Sequence, residues 1–353
     1  MRRRIRPGAV LLTVHLIVGL LVSAGLLLVS VSGAILVFRS ELEAALVPAV
    51  PPHAGRRLSL QSLVDAARRR HPGATPTMLV LPDGDGQPAR IRMIVSTRET
   101  LDVSLDPFDG RVLASRWQQR SPLHALELLH TQLYMGPRGS LVVGAIGLGL
   151  LLQAATGLVL WWPFARQPGR GVTLRWTGRW RVLNHDIHKT VGILSLAFNV
   201  PLALTGTILV LATLVPARVI PRSPAPAAGR HLSVTVDEIA HAANAALPAG
   251  RITAINLTRS GEGIVVVRKR LPGHLNPLGE GVVSVDGQAA RVLSVSDGRK
   301  GPWTRRLWRL VGPLHVGHFA GLASKVVYFV GGLTSSVLVV SGFLIWVSRG
   351  RAR

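Results

Sequence analysis

Apolar residues gather in four long runs, and two segments of mixed pattern lie between them. Residues 9–38, 140–162, 190–215 and 326–348 are each apolar over about the 20 residues that a helix needs to cross a bilayer. The first run is roughly twice the length of a signal-peptide core and ends without a small-residue cleavage site, so it reads as a retained helix. In the segments between the runs the period changes. Leu58, Leu60, Leu63, Val64 and Ala67 recur at helical spacing, with Ser59 placed to cap them and His71-Pro72-Gly73 to stop them. Alternation then marks strands at 77–81 and 89–96, followed by a strand, a turn at Pro107 to Gly110, and a strand. The second mixed segment, 231–297, keeps this order. It reads as a helix over 232–247 capped by Thr235 or Ser233, strands at 252–258 and 263–269, and a closing hairpin.

The chain thus says the same thing twice. Laid on each other, His15 falls on His188, Val18-Gly19 on Val191-Gly192, and Ser32-Gly33 on Thr205-Gly206. Likewise His130, Gly136, Gly147, Thr156-Gly157 and Trp161 fall on His315, Gly321, Gly332, Ser341-Gly342 and Trp346. A unit of membrane helix, outer domain and membrane helix is read as duplicated, and each membrane helix has one histidine near its start. Gly19, Gly25, Gly33, Gly144, Gly147, Gly149 and Gly157 leave room beside the first two helices, either for a flat ligand or for close helix packing.

Charge sets the orientation. The net charge is +24, yet Asp186 is the one acid outside residues 39–139 and 216–325. The acid-poor segments carry Arg2, Arg3, Arg4 and Arg6, then Arg166, Arg170, Arg175, Arg179 and Arg181, then Arg349, Arg351 and Arg353. That is the positive-inside distribution, which puts both termini and the middle loop in the cytoplasm. It also explains the charge without nucleic acid. The chain has no cysteine, which excludes disulfides, iron–sulfur clusters and covalent haem attachment. No G-x-G-x-x-G follows a strand, so no flavin or NAD site is visible.

The motifs L-H-T-Q-L-Y-M-G with T-G-L-V-L-W-W, N-H-D-I-H-K-T-V-G, and L-H-V-G-H-F-A-G with S-G-F-L-I-W accompany a D-P-F-D-G-R-V-L hairpin. Together they resemble the PepSY-associated transmembrane family over about residues 5–348. The second hairpin, from Asp286 to Leu293, is a looser match. The resemblance implies an α-helical membrane protein with four transmembrane helices and two periplasmic α+β PepSY-like domains. In this sequence the parts are a cytoplasmic N-terminus (1–8), helix one (9–38), the first outer domain (39–122), an outer helix start with helix two (123–162) and a basic cytoplasmic loop (163–185). Helix three (186–215), the second outer domain (216–302), an outer helix start with helix four (303–348) and a cytoplasmic C-terminus (349–353) follow. Some members of the family are inner-membrane reductases of ferric siderophores that carry b-type haem, and others are known as iron-regulated membrane proteins. Iron and haem chemistry is therefore what the resemblance implies.

Twelve histidines are present. His53, His71, His231, His241 and His274 lie in the outer segments and read as ordinary surface residues. A histidine in a membrane helix is a functional residue by default. His15 and His188 would form one pair on the inner side and His130 and His315 another on the outer side, each pair able to hold one haem iron. His318 lies within a turn of His315 and competes with it. His185 and His124 are the remaining candidates. A continuous helix from His130 to Trp161 would be about 46 Å long, more than the hydrocarbon thickness of about 30 Å. Unless Gly136-Pro137 breaks or bends that helix, His130 sits at or above the outer interface, and one haem rather than two is the alternative. The resulting reading is an inner-membrane electron-transfer protein with one or two haems b. A quinol or a cytoplasmic reductase would supply electrons, and a ferric siderophore or another anionic chelate would take them. The alternatives are a membrane-tethered PepSY module that binds or regulates peptidases, and an iron or haem transporter. A transporter calls for an intramembrane acid or a broken helix pair. Asp186 lies at a helix end, and Pro201 is the clear internal breaker.

Overall fold

The computed structural model describes the chain apart from residues 1–6, 54, 85, 168, 177, 215–231, 260–262, 277, 301–302 and 351–353. Arg2, Arg3, Arg4, Arg6, Arg351, Arg353 and His231 lie outside the described residues. In chain order the elements are α1 (Pro7–Leu36), α2 (Arg39–Ala45), α3 (Leu60–Arg70), β1 (Thr75–Val80), β2 (Ala89–Ser96), β3 (Glu99–Leu105) and β4 (Val112–Trp117). Then come α4 (Pro122–Gln132), α5 (Gly136–Ala165), α6 (Trp180–Leu194), α7 (Leu196–Leu214) and α8 (Val236–Ala246). The chain closes with β5 (Arg251–Arg259), β6 (Ile264–Arg270), β7 (Gly281–Asp286), β8 (Val292–Ser296), α9 (Trp303–Val316) and α10 (Gly321–Gly350). These elements fall into two compact units, one helical and one built on the sheet.

In the helical unit α1, α5, α7 and α10 are each long and apolar enough to cross a membrane. α1 packs on α5 and α10, α5 on α7, and α10 on α6. The long helix starting at His130 is broken. α4 ends at Gln132 and α5 begins at Gly136, with Pro137 in its first turn, where a missing N–H costs nothing. Leu133, Tyr134 and Gly136 between them take φ of 47°, 58° and 61°. Left-handed residues end a helix and let the chain change direction. α9 and α10 are separated in the same way, with Gly317 at φ 74° and Gly321 at 61°. The third run also divides, but at Ser195 rather than at Pro201, around which α7 stays helical. Proline offers no N–H to the carbonyl one turn back, and the irregularity falls on the turn before it.

In the sheet unit the two mixed segments form one antiparallel sheet of eight strands, in the order β4-β3-β2-β1-β5-β6-β7-β8. The strand order is symmetric about the β1–β5 pair, where Met78, Leu79 and Val80 oppose Asn256, Ile255 and Ala254. Alternation along the strands turns Leu79, Ile91, Met93, Val103, Ile255, Val265, Val267, Val283 and Val285 to one buried face, and α3 and α8 cover it with Leu63, Val64, Ile239 and Ala243. The segments read from sequence as two domains therefore share one core. Alone, each would leave β1 or β5 with a bare edge, and pairing them satisfies both rows of backbone groups. His274 is also buried rather than superficial, its Nδ1 accepting from the N–H groups of Leu271 and Glu280.

The two covering helices cap one another. Ser59 caps α3 and Thr235 caps α8, the latter in a reciprocal box with Glu238. Asp237 of α8 accepts from the backbone N–H of Leu60 at 2.8 Å and of Gln61 at 2.9 Å, the first residues of α3. Gln61 Oε1 in return accepts from the N–H of Val236. Helix N-termini attract such carboxylates. Asp237→Ala leaves two donors of α3 without their acceptor, and the expected loss is about 1–2 kcal/mol. Thermal unfolding of the detergent-solubilised full chain, followed by circular dichroism, measures it. An unchanged transition contradicts the cross-capping.

Candidate functional site

An imidazole in a membrane helix needs a hydrogen-bond partner, because lipid offers none. α1 carries His15 in its third turn and α6 carries His188. Their ring centroids lie 6.4 Å apart with planes at 89°. α4 carries His130 and α9 carries His315, with centroids 6.1 Å apart and planes at 42°. Of the seven candidates, these four meet as two pairs.

Each ring is held through its Nδ1. His15 Nδ1 lies 2.8 Å from Thr156 Oγ1, and His188 Nδ1 lies 2.9 Å from Ser341 Oγ. His315 Nδ1 lies 3.0 Å from Thr205 Oγ1. His130 Nδ1 lies 2.9 Å from the carbonyl of Val29 and 3.4 Å from Ser32 Oγ. The hydroxyls decide the tautomers. Thr156 donates its one proton to Leu152 O, Ser341 to Val337 O, Thr205 to Pro201 O and Ser32 to Leu28 O, each at 2.6–2.8 Å. A hydroxyl whose proton is committed can only accept. With the hydroxyl protons so placed, the proton toward His15, His188 and His315 is the one on Nδ1. For His130 the Val29 carbonyl, an acceptor only, requires the same. All four rings are therefore Nδ1–H tautomers whose Nε2 carries a lone pair. This is the arrangement in which a histidine serves as a metal ligand with its other nitrogen anchored.

The four hydroxyls belong to four copies of one dipeptide, and the glycine of each lies beneath the same ring. A Cβ at Gly33 would come within 2.6 Å of His130 Cε1, and one at Gly206 within 2.9 Å of His315 Cε1. At Gly157 and Gly342 the approaches to His15 and His188 are 3.3 and 3.1 Å. Exchange is reciprocal: α1 offers His15 to the dipeptide of α5 and its own dipeptide to His130, and the α6–α7 and α9–α10 segments do likewise. The other glycines noted in the sequence do different work. Side chains would crowd Ile146 from Gly25, Val210 from Gly144, Thr207 from Gly147 and Val22 from Gly149, so these serve helix packing. Gly19 faces Gln153, whose Nε2 donates to the carbonyl of His15.

The break between α4 and α5 determines the level of the outer pair. It brings His130 back against Val29 and Ser32 of α1 instead of extending it beyond the apolar span. Measured along α1, the anchors of the two pairs are separated by roughly 20 Å at 1.5 Å per residue. A cavity of about 420 Å³ lies at the level of His15 and His188, lined also by Gly157, Gly342, Leu338 and Phe343. His185 is exposed and lines this cavity without joining the pair. His318 is engaged elsewhere, its Nε2 donating to the carbonyl of Val37 at 3.0 Å. His124 lies on the first turns of α4 and belongs to neither pair. Sequence reasoning aligned Ser32, Thr156, Thr205 and Ser341 as repeats but gave them no role. The signal was the hydroxyl followed by glycine, kept at every copy while the residues on either side of the dipeptide vary.

Crowding the rings tests this geometry. Gly33→Ala and Gly206→Ala force a histidine or a helix to move and should each cost about 1–3 kcal/mol. Gly8→Ala, where nothing lies within 4 Å, should leave stability unchanged or raised. Thermal denaturation in detergent reads both. Equal behaviour of the three variants contradicts the packing described.

No curated protein matches the chain. The family model for the PepSY-associated TM region matches residues 12–349, nearly the whole chain and all four membrane helices. This membrane protein belongs to the PepSY-associated TM family.

Proposed function

We propose that the helical unit is a b-type haem electron-transfer module, with one haem held by His15 and His188 and a second by His130 and His315. The observation that carries this reading is the spacing of the paired rings together with their free Nε2 atoms. With metal–nitrogen bonds of about 2 Å and ring centroids roughly 1 Å behind the ligating atom, two imidazoles that share one metal ion would have centroids up to about 6 Å apart. The two pairs, at 6.4 and 6.1 Å, fit one iron each. The glycines beneath the rings fit a ligand set that must hold its orientation, and the absence of cysteine fits non-covalent haem. Haem, when bound, supplies a one-electron iron couple. The protein residues fix the imidazole tautomers, exclude water and set the level of each site in the membrane.

The orientation belongs to the same proposal: an inner membrane, cytoplasmic termini and an outer, periplasmic sheet unit that arose by duplication. Arg166, Arg170, Arg175, Arg179 and Arg181 in the loop between α5 and α6 favour it. Electrons from a quinol or a cytoplasmic reductase would cross between the two levels and reduce a ferric siderophore or similar anionic chelate outside. Two other readings, a tethered peptidase-binding module and an iron or haem transporter, leave the four anchored imidazoles without a purpose.

A reduced-minus-oxidised spectrum of the purified protein should show b-type bands, and acidified acetone should extract the pigment. A colourless protein from haem-replete cells overturns the reading. His15→Ala and His188→Ala should remove one haem and give matching spectra, while His130→Ala and His315→Ala remove the other. If His15→Ala and His130→Ala erase the same band, the pairing is wrong. For the reaction, addition of a ferric siderophore to the reduced protein should restore the oxidised spectrum. Failure to do so contradicts the reductase assignment and leaves the haem assignment standing.

A further inference from the structure

The cavity at the inner pair is symmetric in its ligands and asymmetric in its charge. The alignment that places His15 on His188 also places Leu12 on His185 and Leu16 on Lys189. The alignment that places His130 on His315 also places Phe164 on Arg349. All six residues line the same cavity. At three equivalent positions, then, the α1–α5 side is apolar and the α6–α10 side is cationic or can become so. Among the described residues no Asp or Glu lines the cavity.

The lysine is not accounted for by its acidic neighbour. Lys189 Nζ lies 3.4 Å from Asp186 Oδ1 and donates to Arg170 O at 2.7 Å. Asp186, however, is already held by Arg175, which reaches both carboxylate oxygens at 2.8 and 2.9 Å and adds its backbone N–H at 3.1 Å. Arg175 balances the charge of Asp186. Lys189, whose side chain is only 11% exposed and whose Nζ also lies 5.4 Å from the centre of the Phe164 ring, and Arg349 both lie near His185 and line this apolar cavity as two positive charges. Cations in such a place are stabilised by anionic partners.

We infer that this cavity receives a flat dianionic amphiphile in one orientation, its two carboxylates toward Lys189 and Arg349 and its apolar edge toward Leu12 and Leu16. The inference rests on the haem reading above, in which the carboxylates are the two propionates of haem b. The ligand histidines cannot choose this orientation, because their own arrangement is repeated. The charge difference between the halves chooses it.

The test is a cycle between protein charge and ligand charge. The full chain carrying His315→Ala, so that only the inner site loads, is prepared without haem and reconstituted in detergent with haem b or with its dimethyl ester. Esterification should weaken binding by roughly tenfold or more, the equivalent of a lost charge-assisted hydrogen bond. In Lys189→Gln/Arg349→Gln the penalty for the ester should shrink toward none, and Lys189→Arg/Arg349→Lys should restore it. An ester penalty of the same size in the parent and the glutamine variant overturns the proposal. Weakening of haem and ester in equal measure by the glutamine variant also overturns it, because that reports packing rather than charge recognition. If the parent binds neither compound, the haem reading itself fails, a result distinguishable from the other two.

Discussion

A hydroxyl has a single proton to donate, and in the membrane helices those of Ser32, Thr156, Thr205 and Ser341 give theirs to a carbonyl one turn back. In lipid no water can exchange with that bond. The hydroxyl is left as an acceptor in a fixed position, and the imidazole opposite must come to it with Nδ1–H. Everything distinctive about the helical unit follows from this. The tautomers are set with the lone pair on Nε2, and the glycine after each hydroxyl gives the ring its place against the helix. Because α1 and the α4–α5 segment exchange histidine and hydroxyl reciprocally, the helices must keep one register for both levels to form.

The second constraint is the left-handed backbone before α5 and α10. A straight helix would hold His130 far from the hydroxyl that α1 presents. The reversal at Leu133 to Gly136, matched at Gly317 to Gly321, brings α4 and α9 back against the bundle. Polar side chains extend through the layer between the two pairs. Asn199 Oδ1 accepts from Thr334 and Ser335, while its Nδ2 donates to Ser195, so the buried amide between α7 and α10 is satisfied on both sides.

Much of this was legible in the sequence. The four apolar runs, the order of the outer strands and the caps Ser59 and Thr235 follow from local periodicity and chemistry, which is why they read correctly. The joining of β1 to β5 was not legible. Alternation tells which face of a strand is buried but not which neighbour its edge will find. The same limit hid the hydroxyl partners: Thr156 and His15 are brought together by helix packing, not by spacing along the chain. His315 and His318 were hard to separate because they lie within one turn and the break at Gly317 falls between them. Gly136-Pro137 announced the break before α5. The left-handed conformation at Leu133 and Tyr134 did not announce itself, since side-chain-bearing residues adopt it rarely.

The central claim is that two imidazole pairs, fixed by hydroxyl and carbonyl acceptors, each ligate one iron. Low-temperature electron paramagnetic resonance of the oxidised protein tests it most directly, because ligand number and ring-plane angle both shape the signal. The account predicts two low-spin ferric species per chain. The one lost in His188→Ala should be the more anisotropic, since its rings stand at 89° against 42° for the other pair. A single species, or a high-spin signal in the unsubstituted protein, would contradict it.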